Sequence, residues 1–292
     1  MSKTMSKNIL DKIVAWATGE PEIKALILTG SRANPDSKQV DALSDFDIAL
    51  FTTDTNKYTS NDSWMRNIED VWVYIPAKIE FLNHTLPTRL IVFKDGVSVD
   101  LSFHSMDLLK ELTDQQKLPF ACNFGCKILL DKDNLAKNLP KAPMKNDLTP
   151  KPSQQEFLSA INVFFFEVYE ISKSLARQGN GNLWHVKLRD NTTKEYLLTM
   201  IEWHEKSVHG WDYNTSWYGK KMKSWVDPAT WQALHKVFGH FDNQDSWDAL
   251  MATVELFRKL AKQTAKNLNF EYPEDVDKNI IGFVKELKEA QK

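Results

Sequence analysis

The amino-acid sequence predicts an α+β chain: a mixed sheet with helices in the N-terminal half, followed by a C-terminal helical bundle. Short β-branched and aromatic runs alternate with helical periodicity in the first half, then give way to long helical periodicity in the second. Between the halves, NLPKAPMKNDLTPKPS from Asn138 to Ser153 carries four prolines and no periodic apolar pattern. We therefore expect domains at 1–138 and 154–292 with a linker at 139–153.

In chain order, Asn8 to Ala17 reads as a helix, Ala25 to Thr29 as a buried strand and Phe46 to Phe51 as a second strand. Asp62 or Ser63 is placed to cap a helix running through Val71. Lys78 to Leu82, Leu90 to Phe93 and Val97 to Phe103 read as strands. Lys94-Asp95-Gly96 turns the chain between the last two, because Asp-Gly tolerates positive φ. Met106 to Leu112 reads as a helix and Lys127 to Leu130 as a strand. In the second half, Gln154 to Ala176, Thr193 to Ser207, Pro228 to Phe238, Trp247 to Leu268 and Asn279 to Glu289 read as helices, and Gly179-Asn180-Gly181 as a helix break.

Composition bounds the function. Hydrophobic residues make up 42% of the chain, enough for real cores without disulfide staples. A formal net charge of -2 supplies no broad basic field for a nucleic-acid backbone. Cys122 and Cys126 fit reduced thiols, and no apolar run resembles a signal peptide or a membrane span, so the expected location is the cytoplasm.

The chemistry concentrates in Leu26-Ile27-Leu28-Thr29-Gly30-Ser31-Arg32 and in Ser44-Asp45-Phe46-Asp47-Ile48-Ala49-Leu50-Phe51. A buried strand ends at Gly30, where the missing side chain lets a ligand approach the backbone, and Ser31 offers a hydroxyl and an N–H to a phosphate oxygen. Asp45 and Asp47, two apart in a strand, project from one face; such a pair repels unless a hard cation bridges it. In Val97-Ser98-Val99-Asp100-Leu101-Ser102-Phe103, alternation puts the apolar residues on the core face and Asp100 on the other. If that strand neighbours the Asp45/Asp47 strand, three carboxylates converge on a site suited to two-metal phosphoryl transfer.

This ordered combination resembles the nucleotidyltransferase superfamily, similar in its core to DNA polymerase beta. Within it, Gly30-Ser31-Arg32-Ala33-Asn34, Leu43 to Ile48 and Val99 to Ser102 resemble the aminoglycoside 6-adenylyltransferases, also called streptomycin adenylyltransferases. So do Lys151-Pro152-Ser153, Leu197 to Trp203, Tyr218-Gly219-Lys220 and Tyr272-Pro273. The resemblance implies Mg²⁺-dependent transfer of AMP from ATP to a hydroxyl of a small cationic acceptor such as streptomycin. It makes Gly30, Ser31 and Arg32 nucleotide contacts, Asp45 and Asp47 metal ligands, and Asp100 either a third ligand or the general base. The chain departs from the family's pattern at Asn162-Val163-Phe164 and in Leu183 to Asp190, where Lys187 and Arg189 replace less basic residues.

Lys220, with Lys221 and Lys223, could neutralise the triphosphate or simply form a solvated basic end. Glu202 and Asp212 could receive a cationic acceptor or lie on the surface. His185 beside Trp184 could orient an acceptor or pack, half-buried, against the core. The histidine spacings do not suit zinc. Two further functions compete: transfer to a protein side chain or RNA end, and a nucleotide-binding module without turnover.

Overall fold

Among the described residues six strands build one mixed sheet: β1 (Ile23–Thr29), β2 (Phe46–Thr52), β3 (Val71–Phe81), β4 (His84–Phe93), β5 (Val97–Ser105) and β6 (Cys126–Asp131), in the order β3-β4-β5-β2-β1-β6. Neighbours are antiparallel except β2 and β5, whose parallel pairing the chain reaches by way of the β3–β4 hairpin. The structure is a computed structural model, and it describes residues 3–34, 40–81, 84–118, 122, 125–142, 149–177 and 182–290.

Strand alternation divides the apolar residues between two faces. Leu26, Leu28, Ile48, Leu50, Val99, Leu101 and Phe103 pack in one buried cluster with Ile9, Ile13 and Trp16 of α1 (Lys3–Gly19). Ala25, Ile27, Ala49 and Phe51 pack in another with Leu108, Leu109 and Leu112 of α3 (Met106–Asp114). Burying both faces holds the central strands rigidly, so the residues at their ends inherit fixed positions.

Several expectations need correction in this half: β4 starts at His84, six residues before the predicted Leu90, and Leu82, the expected end of the strand from Lys78, lies outside the described residues. Ser63–Asn67 is a short 3-10 turn, not a helix through Val71, and Asp62 does not cap it. The Asp62 carboxylate instead accepts from the nearly buried Arg89 Nε at 2.7 Å. Val71 already belongs to β3, which starts seven residues before the predicted Lys78; as an edge strand it tolerates Pro76 and leaves Trp72, Val73, Tyr74 and Ile75 exposed. The helix α2 (Thr55–Thr59), capped by Asp54, had no clear signal. The β4–β5 turn does place both Asp95 and Gly96 at positive φ.

The second half is helical: α4 (Gln154–Ala176), α5 (Leu183–His209), α6 (Pro228–Leu234), α7 (Asn243–Leu268) and α8 (Glu274–Glu289). Ser153 and Glu156 form a capping box that starts α4. Phe164 stacks on Phe257 across α4 and α7 with ring centroids 3.6 Å apart, and the other buried helix faces join that core. α5 begins ten residues before the predicted Thr193, while α6 ends at Leu234, short of Phe238. Gly179-Asn180-Gly181 lies outside the described residues.

By contacts the chain divides into two compact units, Met1–Lys145 and Asn146–Lys292. Residues 143–148 of the expected linker lie outside the described residues. Among the described residues no helix is long and apolar enough to cross a membrane.

Candidate active site

The parallel pairing of β2 with β5 sets Asp47 directly beside Asp100, and the β1 pairing sets Thr29 on the other flank of Asp47. Because side chains alternate, both carboxylates lie on the face opposite Ile48, Val99 and Leu101. β2 begins at Phe46, so Asp45 stands one residue outside the strand, where it is exposed; Asp47 and Asp100 are half-buried.

Burial pushes the Asp100 carboxyl up to about 6, and the negative charges of Asp47 and then Asp45 add to the rise. Three acids at one strand end repel one another, a cost that positive charge delivered to the site would relieve.

β1 ends in a turn that brings its backbone to this spot. Gly30 has φ 72 and ψ -155, and a Cβ there would meet Asp47 Oδ2 at 2.5 Å. Only glycine lets the turn and the carboxylate share this space. Beyond it, Ser31–Ala33 form one 3-10 turn with Ser31 exposed. Arg32 turns back: its Nε donates to Ser44 O at 2.8 Å and to Asp45 O at 3.1 Å.

Gly125, which the sequence did not single out, backs the same turn. A Cβ at Gly125 would lie 2.6 Å from Asn34 N and 2.7 Å from both Ala33 C and Gly30 O, all of them backbone atoms. Nothing local marks it: only the β1–β6 pairing, which sets Cys126 opposite Thr29, carries it there. Cys122 is buried, Cys126 is half-buried, and both are free thiols.

Lys220, in the second unit, is exposed, and its carbonyl accepts from Trp225 Nε1 at 2.9 Å. Glu202 is not on the surface: it is 8% exposed and accepts from Thr149 Oγ1 at 2.7 Å. Asp212 is exposed. His185 and Trp184 are both exposed rather than half-buried, because Leu183 and Val186 take the core-facing positions of that turn of α5. Lys187 and Arg189, the basic residues of this stretch, are engaged within the unit, by Gly239 O at 2.9 Å and Glu167 Oε1 at 3.0 Å.

The sequence profile of the Streptomycin adenylyltransferase family matches residues 3–287. The chain belongs to this family. Aminoglycoside 6-adenylyltransferase from Bacillus subtilis (strain 168) is 27% identical over 291 residues, covering 95% of each chain. The Campylobacter jejuni enzyme of the same name is 26% identical over 279 residues, covering 91% of this chain and 90% of its own. A crystal structure of an aminoglycoside 6-adenyltransferase from Bacillus subtilis aligns over 99% of both chains, with 22% identity and a TM-score of 0.46.

Family membership raises the question of a divalent cation. Among the described residues no three His, Cys, Asp or Glu side chains form a ready-made metal cluster. Mg²⁺, however, is commonly held by one or two carboxylates with substrate phosphates completing its shell. The neighbouring Asp47 and Asp100, all-oxygen and mutually repelling beside a glycine turn, fit that mode of binding.

Proposed function

We propose that this chain transfers AMP from ATP to a hydroxyl of a small cationic acceptor, an aminoglycoside such as streptomycin, with release of pyrophosphate. The observation that carries the proposal is the register of Asp47 beside Asp100 with Gly30 pressed against Asp47. The family match and the relatives named aminoglycoside 6-adenylyltransferase support the acceptor class.

In this reading the turn Gly30-Ser31-Arg32 receives the triphosphate, with backbone N–H groups and the exposed Ser31 hydroxyl offered to its oxygens. Lys220 is a further proposed nucleotide contact. Asp45, Asp47 and Asp100 would hold Mg²⁺, which supplies positive charge where negative charge develops on the phosphate and leaving pyrophosphate. The same carboxylates orient the acceptor hydroxyl for attack on the α-phosphate. Asp100 serves either as a third ligand or as the base that takes the hydroxyl proton; before any cation binds, burial and the charges of Asp47 and Asp45 raise its pKa.

The test is Mg²⁺-dependent pyrophosphate release from ATP with and without streptomycin, with Asp47→Asn as control. Streptomycin-dependent release that falls by at least ~10³-fold in the folded variant supports the reading, since Asp47 touches the reacting groups. Full activity in Asp47→Asn would falsify it. Labelling of a protein or RNA by labelled ATP in a lysate, with no streptomycin turnover, would move the acceptor to a macromolecule.

A further inference from the structure

Arginine in a nucleotide turn is ordinarily read as a partner for phosphate. The contacts of Arg32 give it another occupation. Its Nη2 donates to Ser44 O at 2.5 Å and to Asp41 O at 3.1 Å. Its Nε serves Ser44 O at 2.8 Å and Asp45 O at 3.1 Å. The guanidinium lies 4.0 Å over the Phe46 ring, at the first residue of β2. The edge bearing Nε and Nη2 therefore faces backbone carbonyls of the segment that delivers Asp45.

Asp45 needs such a clamp. It lies outside the strand, so no ladder hydrogen bond of β2 fixes its direction, and the Asp41–Ser44 turn before it is largely exposed. The turn's own bonds, Leu43 N to Asp41 Oδ1 at 2.9 Å and Ser44 Oγ to Asp41 Oδ1 at 3.1 Å, close it upon itself without attaching it to β1. Arg32 makes that attachment, from the 3-10 turn after Gly30.

We propose that the Arg32 side chain is a positioning residue: by clamping the carbonyls of Asp41, Ser44 and Asp45, it ties the Asp45 carboxylate to the Gly30-Ser31 turn, so that metal ligand and phosphate cradle move as one body. This rests on the nucleotidyl-transfer reading for its catalytic consequence, though not for the clamp itself. Lysine keeps the charge but cannot reproduce a planar fork spanning three carbonyls and stacked on a ring.

The experiment compares wild type with Arg32→Lys by three readouts. Hydrogen–deuterium exchange of the peptide spanning residues 40–46 should be roughly tenfold faster in the variant, the effect of losing one charge-assisted hydrogen bond. With ATP and streptomycin, kcat should fall by about 10²-fold while KM for ATP changes less than about threefold, the pattern of a displaced catalytic group. In the wild type, the Arg32 Nε–H resonance should hold its position when Mg²⁺ and a non-hydrolysable ATP analogue are added. A large shift of that resonance, or a KM for ATP raised tenfold with exchange at 40–46 unchanged, overturns the proposal and makes Arg32 a phosphate ligand. If the wild type transfers nothing to any acceptor, the function proposed above fails, while exchange and the Nε–H signal still decide what Arg32 does.

Discussion

Replacing Gly30 by alanine separates the two demands made on that residue. The first is conformational: φ 72 with ψ -155 is a region open essentially to glycine, and forcing alanine into it costs about 1–3 kcal/mol. The second is steric: the new Cβ would sit 2.5 Å from Asp47 Oδ2 and 3.4 Å from its Cγ. Ordinary contact lies near ~3.5 Å, so the carboxylate must retreat by about 1 Å. Because this is the far end of a flexible side chain, it can swing away, but it then leaves its place beside Asp100. A misplacement of about 1 Å at reacting groups is worth on the order of 10²-fold in rate. Urea unfolding should therefore show a loss of about 1–3 kcal/mol. Pyrophosphate release from the still-folded variant should fall by roughly 10²-fold. Gly19→Ala, in α1 with a Cβ that meets nothing within 4 Å, is the control: it should leave turnover unchanged and raise stability by about 0.4–1 kcal/mol. A Gly30→Ala enzyme with wild-type stability and turnover would refute the reasoning.

The other expectations are narrower. Gly125→Ala drives a Cβ into three backbone atoms of the Gly30–Asn34 turn. Backbone cannot swing aside, so KM for ATP should rise about tenfold or more, from misaligned phosphate contacts; a variant with unchanged KM removes Gly125 from the argument. His104 is 2% exposed with its Nε2 2.7 Å from Ser102 Oγ, and burial holds its pKa down at about 4. Since the unfolded histidine titrates near ~6.5, the unfolded chain alone takes up the proton as pH falls from there toward 4, and stability drops by about 2 kcal/mol between pH 7.5 and 5. Above the unfolded pKa the contribution is complete. Urea midpoints of wild type and His104→Gln at those two pH values should differ by that amount in their pH dependence, and parallel behaviour of the two proteins would count against it.

The division between local and long-range information shows in particular residues. Val97 to Phe103 placed Asp100 on the face opposite its core from alternation alone, because strand geometry has a period of two and the apolar residues choose the buried side. Gln154 to Ala176 was legible to its last residue, since a capping box starts it and its apolar face repeats regularly. β3 was misread because an edge strand exposed on both faces carries no alternation to detect, and Pro76 argues against a strand until the open edge is known. Asp62 looked like a cap because any acid before a polar turn does; Arg89, 27 residues away, claimed it instead.

By itself the sequence determined the α+β class and the strand faces, and it singled out the glycine-serine corner and the three aspartates proposed here for the site, since each is written in local periodicity or residue chemistry. The tertiary structure alone decided that Asp47 and Asp100 are neighbours, that Asp45 stands outside its strand, that Gly125 backs the turn and that Arg32 grips the Asp45 segment. Those facts depend on which strands pair and in what register. Pairing joins strands as far apart in the chain as β2 and β5, and no short stretch of sequence records it.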